Sequence, residues 1–300
     1  MTTTTSHLAA ELATQPSDWK AVLRRRAEAS ALLPQPGPDV AIAGCGTSYY
    51  MAQAYAVLRE QAGHGRTEAH PASEFPLDRS YGQVVVISRS GTTTEVIELL
   101  QQLRERGQRT TAIVATEGTP IPALADHSLL LPEVDERSVV QTRFATTTLA
   151  LLRATLGEDL ARAIADAEVV LAEDEATAFA GVAEAGQITF VGRGWTVGLA
   201  SEAALKLRES AQFWTEAYPA MEYRHGPISI AAPGRAVWAF GEVPDGLPED
   251  VRATGAHFEH RDIDPLADLV RLHRLCLLKA ARAGVDPDSP RHLARSIILT

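Results

Sequence analysis

Six short stretches of this sequence are apolar or nearly so: VAIAG (40–44), QVVVIS (83–88), TTAIVA (110–115), HSLLL (127–131), QITFVGRG (187–194) and RAVWAF (235–240). A strand with one wet face alternates apolar and polar side chains. These runs do not alternate, so they predict strands covered on both faces. Between them lie stretches of helical period: SYYMAQAYAVLREQAG (48–63), TTEVIELLQQLRERG (93–107), SEAALKLRESAQ (201–212) and DPLADLVRLHRLCLLKAARAG (264–284). One or two Ala-rich helices are expected over 139–172. Buried strands alternating with helices imply an α/β chain with parallel sheets. The cycle runs twice, with strand into Gly-x-Gly near 44 and again near 192, so two similar halves are expected. Their linker is placed in the Ala/Glu-rich region near 165–180.

The expected organisation is a helical segment 1–33, a first domain 34–170, a second 171–285 and a tail 286–300. Within the first segment, residues 1–6 are expected to be disordered. HLAAELATQ reads as a short helix stopped by Pro16, and SDWKAVLRRRAEASALL as a second helix with Ser17 at its N-cap. PQPGP (34–38) has the composition of a linker.

Charge and cysteine content exclude several classes. Lys and Arg number 28 against 38 Asp and Glu, a net charge of −10. That leaves no basic footprint for nucleic acid, and the run Arg24–Arg26 reads as a solvated helix face. Cys45 and Cys276 are the only cysteines, too few for a disulfide framework or a cysteine zinc site. No apolar run reaches ~18 residues, so no membrane span is expected. The start MTTTTSHLAAELATQP lacks the charged and apolar regions of a secretory signal. A soluble, cytoplasmic protein is expected, with no metal and no cofactor.

Ligands of open parallel sheets bind beyond the carboxyl ends of the strands. Two loops stand there, GCGTS (44–48) and SRSGTT (88–93), each leading into a helix. Free backbone N–H groups at a helix start, several hydroxyls and a glycine that lets the backbone come close suit an anion, above all a phosphate monoester. Helix capping would explain one Ser or Thr, not a cluster in two loops. A dinucleotide site is disfavoured because GCGTSY lacks the third glycine of G-x-G-x-x-G and GRGWTVG is wrongly spaced. No Walker loop is present.

The ordered motifs CGTSYYMAQ, ASEFP, SRSGTTTEV, EAALKLRES, TEAYPAMEYRHGPIS and DPDSPRHLARS resemble those of SIS-domain (sugar isomerase) proteins. They are most similar to the isomerase part of glucosamine-6-phosphate synthase and to related amino-sugar-phosphate deaminases, over about residues 8–300. The resemblance implies two SIS domains, each a mainly parallel sheet flanked by helices, an α/β/α sandwich of flavodoxin-like type. It also implies a homodimer with sites near the subunit interface. The phosphate of a sugar 6-phosphate would be held by Thr47, Ser48, Ser88, Arg89, Ser90 and Thr93. Gly46, Val139, Gln141, Glu222 and Arg295 would contact the substrate. Arg89 stands where the family commonly has Gln; it either adds a charged contact to phosphate or points to solvent.

By the same similarity, Glu209 is the base that moves a proton between carbons 1 and 2. Glu202, Lys206 and Glu209 are spaced to share a helix face; the alternative is an exposed ion-pair ladder. His225, in the HGP motif, corresponds to the histidine that opens the sugar ring, a task suited to a group that titrates near neutrality. In the family it reaches the neighbouring subunit's site. Glu222, three residues earlier, would orient it.

Two departures bear on the chemistry. The chain starts without a nucleophilic cysteine, so no glutamine amidotransferase activity is expected. Arg295 replaces a lysine that forms a Schiff base in the synthase, and a guanidinium is a poor amine nucleophile. The expected function is carbon-2 proton abstraction from an amino-sugar 6-phosphate, of the glucosamine or N-acetylglucosamine class. The outcome is isomerisation or deamination, or dehydration by β-elimination. The alternative is a non-catalytic sugar-phosphate sensor, which needs the phosphate loops but not the base.

Overall fold

A computed structural model describes residues 6–299. In chain order it has α1 (His7–Val22), α2 (Arg26–Leu32), β1 (Val40–Gly44), α3 (Thr47–Gln61), β2 (Thr67–Pro71) and β3 (Gln83–Ser88). Then come α4 (Thr94–Glu105), β4 (Thr110–Val114), α5 (Pro120–Leu124), β5 (His127–Leu130), α6 (Arg143–Thr155) and α7 (Ala161–Ala172). The remainder is α8 (Glu175–Ala178), β6 (Gln187–Gly192), α9 (Thr196–Ala211), β7 (Thr215–Pro219), β8 (Arg235–Phe240), α10 (Leu247–Ala253), β9 (His257–Glu259) and α11 (Pro265–Ala283).

The chain forms two compact units. One takes residues 17–160 and 294–300, the other residues 1–16 and 161–293. This division differs from the expected one in three places. The boundary falls after Leu160, so α7 and α8, at the expected linker, belong to the second unit. The amino-terminal helical segment is split between units and does not stand alone. The last segment is split as well, at Leu293.

The 17–160 unit holds a parallel sheet of order β2-β1-β3-β4-β5. That is the flavodoxin-like order. Every residue of β1, β3 and β4 is buried, as unalternating apolar runs require. Helix α3 packs on β1 and β2 and also on α6, while α4 packs on β4 and α5. Val84, Val86, Leu99, Leu100 and Val114 form the centre of one core; burial of each such side chain contributes about 1.5–3 kcal/mol.

The 161–293 unit repeats the plan with a parallel sheet of order β7-β6-β8-β9. Helix α9 packs on β6, β7 and β8, and α11 packs on α9 and α7. Strands β2 and β7, unrecognised as strands in the sequence, begin nearly identical segments: TEAHPASEF (67–75) and TEAYPAMEY (215–223).

Pro16 does not stop the first helix. It lies inside α1, and Ser17 is within the helix instead of capping a second one. An internal proline costs a helix about 3 kcal/mol. Burial of Leu8, Leu12, Trp19 and Val22 along the same helix offsets that loss. The PQPGP stretch is a loop within one unit, leading into β1, and not an interdomain linker.

Candidate functional site

Strands β1 and β3 are parallel neighbours, so their carboxyl ends open on the same edge of the sheet. In the order β2-β1-β3-β4-β5, the direction in which successive strands are added to the sheet reverses between β1 and β3. That gap is the switch point where such sheets bind ligands, and it carries both hydroxyl-rich loops.

Gly44 ends β1 where a Cβ would lie 2.8 Å from the backbone of Ser48. Gly46 follows with φ 53°, and α3 starts at Thr47. Thr47 and Ser48 are 5% and 4% exposed, and their hydroxyls make no hydrogen bond with any described residue. In the second loop, Ser88 Oγ accepts from Gly91 N–H at 3.3 Å and Ser90 Oγ from Thr92 N–H at 3.3 Å. Gly91 turns the loop at φ 67°, and its missing Cβ would lie 2.0 Å from Thr119 Oγ1. Thr93 is the N-cap of α4, yet its side chain makes no capping bond. The hydroxyls are therefore not accounted for by helix capping.

Arg89 is 4% exposed, so it does not face solvent, and its terminal nitrogens are engaged within the protein. It donates to the carbonyls of Ser138 (3.1 Å), Val139 (3.0 Å) and Arg295 (3.1 Å), and to Glu136 Oε2 at 3.5 Å. A long cation buried beside a carboxylate places its terminal donors on nearby carbonyls, while the Arg89 Nε has no partner among the described residues. Glu136 in turn accepts from the backbone N–H groups of Thr142 (2.6 Å) and Arg143 (2.8 Å) at the start of α6. Arg89 thus ties three segments together. Val139 enters through its carbonyl. Gln141 is half-buried, and its enclosed Nε2 has no hydrogen-bond partner, a donor available to a ligand. The Arg295 guanidinium pairs with Asp135 and donates to Thr116 Oγ1 at 3.2 Å.

The other expected residues lie in the 161–293 unit. Glu202, Lys206 and Glu209 share a face of α9. Lys206 Nζ is 3.6 Å from Glu202 and forms an ion pair with Glu209. The ladder is not exposed: the side chains of Glu202 and Lys206 are each 1% accessible, and that of Glu209 is 19%. Glu209 alone reaches a cavity of about 370 Å³, shared with Arg208, Gln212, Trp214, Arg291 and His292. Trp214, 72% exposed, presents an aromatic face there.

Sequence reasoning missed the groups behind Lys206. His273 of α11 is 1% exposed. Burial, with the Lys206 charge adding to it, pushes its imidazole down to about 3. Its Nδ1 lies 3.2 Å from Gln15 Nε2, and its Nε2 has no partner. Cys276, one turn on, is pushed up to about 12, chiefly by burial. A polar residue inside the apolar stripe of α11 was the available signal.

His225 closes a 3₁₀ turn over Glu222–Arg224. It is exposed, and its ring has no hydrogen-bonding partner among the described residues. Glu222 is joined to it through backbone, His225 N–H to Glu222 O at 2.9 Å. The expected carboxylate–imidazole contact is not formed.

Residues 36–156 match the family described as SIS domain. Glutamine–fructose-6-phosphate aminotransferase (isomerizing) of Listeria innocua is 28% identical over 306 residues, covering 85% of this chain and 51% of its own length. The chain thus spans about half the length of the curated relatives it matches. Glucosamine-6-phosphate deaminase from Thermotoga maritima superposes with a TM-score of 0.79 at 25% identity, over 96% of this chain and 100% of its own. The C-terminal domain of glucosamine-fructose-6-phosphate aminotransferase from Francisella tularensis gives 0.81 at 21% identity, over 96% and 99%, a likeness of fold. Among the described residues, no helix is long and apolar enough to cross a membrane.

Proposed function

We propose, from the match of residues 36–156 to the SIS domain family, that this chain is an enzyme that isomerises or deaminates an amino-sugar 6-phosphate of the glucosamine class. The observation that carries the reading is Glu209. It is a carboxylate backed by a buried lysine and opening on a cavity. A surface salt bridge would need neither burial nor a cavity.

The roles follow from chemistry. The neutral hydroxyls of Thr47, Ser48, Ser90 and Thr93 take the phosphate, with the backbone donors at the start of α4. His225, whose ring has no hydrogen-bonding partner among the described residues, passes a proton between ring oxygen and anomeric hydroxyl to open the sugar. Glu209 then takes the proton from carbon 2; the C–H electron pair forms the C1=C2 double bond as the C1=O π pair moves onto O1, which takes a proton from solvent to give an enolamine. The ion pair with the buried Lys206 ammonium fixes the position of the Glu209 carboxylate. Return of the proton to carbon 1 completes isomerisation, and hydrolysis of the resulting imine releases ammonia. Arg295 provides no nucleophilic amine, so the route needs no covalent intermediate. Gln141 is available to hold a sugar hydroxyl. As in the family, assembly as a homodimer in the cytoplasm accompanies this reading.

The test is exchange in deuterated water. Glucosamine 6-phosphate incubated with the wild-type chain should gain deuterium at carbon 2 or carbon 1, read by NMR. Glu209→Gln should lower the rate by at least about 100-fold while ligand binding persists. Exchange by Glu209→Gln at the wild-type rate refutes the assignment; binding without any exchange in the wild type supports a sensor instead.

A further inference from the structure

Residues 294–299 return to the 17–160 unit and lie along the loop after β3. The carbonyls on either side of Ser296 are both held. That of Arg295 accepts from Arg89, and that of Ile297 accepts from Thr94 N–H at 3.1 Å. Leu299 N–H adds a bond to Thr94 Oγ1 at 2.9 Å. Ile297, Ile298 and Leu299 remain 46%, 65% and 62% exposed, so apolar burial does not hold the segment in place. Polar contacts with the loop do.

Pinned on both sides, Ser296 projects its hydroxyl into the hydroxyl cluster. Ser296 Oγ accepts from Ser90 Oγ at 3.1 Å and from Thr92 Oγ1 at 3.0 Å, and lies 3.5 Å from Thr93 Oγ1. A hydroxyl is both donor and acceptor and can rotate its proton. An incoming anion would turn this small network of protons toward itself at little cost. No carboxylate is among these four groups to oppose it.

We propose that Ser296 is a binding residue of the phosphate cradle, and that Arg89 is the positioning residue that holds it there. This rests on the phosphate role given to the loop above. It also gives Arg89 a function that its three carbonyl contacts explain.

The test is calorimetric titration of the wild type, Ser296→Ala, Ser296→Thr and Arg89→Gln with inorganic phosphate and with glucosamine 6-phosphate. Loss of one neutral hydrogen bond should weaken Ser296→Ala for both ligands by about three- to tenfold, and Ser296→Thr should restore most of it. Arg89→Gln should weaken binding to a similar degree. It should also speed hydrogen exchange at the Leu299 amide, which Ser296→Ala leaves slow. Ser296→Ala binding as tightly as the wild type, or more tightly, refutes the proposal while leaving the cradle intact. Arg89→Gln with wild-type affinity removes the positioning role. A wild type that binds neither ligand overturns the cradle and this inference together.

Discussion

His273 makes a strong claim about acid stability. Its imidazole titrates at about 3 in the folded chain, against an ordinary 6.5. Between those values the unfolded chain binds a proton that the folded chain refuses. Stability from this site is therefore fully present above about pH 6.5 and is lost as pH falls toward 3. The linkage relation puts the loss at pH 5 at about 2 kcal/mol, somewhat under half of a limit of roughly 5 kcal/mol reached at full titration. The cause is structural: the ring is buried, and the charge of Lys206 adds to the effect. Urea denaturation at pH 7.5, 6 and 5 would compare the wild type with His273→Gln, which keeps a polar group for Gln15. Between pH 7.5 and 5 the wild type should lose about 2 kcal/mol more than the variant. Parallel pH profiles would refute the reasoning. So would an imidazole NMR titration in the folded protein with a midpoint near 6.5.

Two other perturbations follow from the same kind of argument. Lys279 is lowered to about 8 by burial, with Arg282 contributing; the unfolded chain holds that proton longer, so stability should rise as pH increases from 8 to 10. Relative to Lys279→Met, the wild type should gain on the order of 1–2 kcal/mol over that interval in denaturant titrations. Gly91→Ala places a Cβ against Thr119 at φ 67°. It should cost at least about 2 kcal/mol in thermal denaturation and weaken phosphate binding, since the loop cannot keep its path; a variant as stable as the wild type would show that the loop relaxes freely.

The central strands were legible because burial on both faces leaves an unbroken apolar run. Strands β2, β7 and β9 were not. They are edge strands, paired on one side only, and residues such as Glu68, His70, Glu216 and Tyr218 remain half-exposed and polar. Pro71 and Pro219, at their ends, read as breakers. The hydroxyl loops were legible from position alone, since a strand end followed by a helix start is a local pattern. Arg89 was not, because its partners sit at 136–139 and 295 and only the tertiary fold brings them near. His273 was hidden for the same reason. Gln15 and Lys206 lie on other helices, and one polar residue in an apolar helix stripe does not announce what it meets. Ser296 stood in a recognised motif, but nothing in that motif says which of its side chains faces the loop.

The repetition of the fold makes the asymmetry of its chemistry informative. Both units have the same first strand, neighbours and switch point. Gly192 backs onto α9 as Gly44 backs onto α3, with a Cβ position 2.3 Å from Thr196 O, and Gly194 repeats the positive φ of Gly46. Backbone geometry alone would therefore offer two anion sites. The side chains distinguish them. In the second unit the Thr196 hydroxyl is spent internally, accepting from Arg193 N–H at 2.9 Å and lying 2.9 Å from Phe240 O. The loop after β8 brings Glu242, a carboxylate paired with Arg193, where the loop after β3 brings hydroxyls. A carboxylate there, even paired with Arg193, disfavours a phosphate, whereas buried neutral hydroxyls favour one. On the proposed function, the first switch point would take the anion and its counterpart would not. The helix that follows the counterpart, α9, carries Glu202, Lys206 and Glu209 instead. On that reading, ligand recognition and proton transfer would fall to different copies of one architecture.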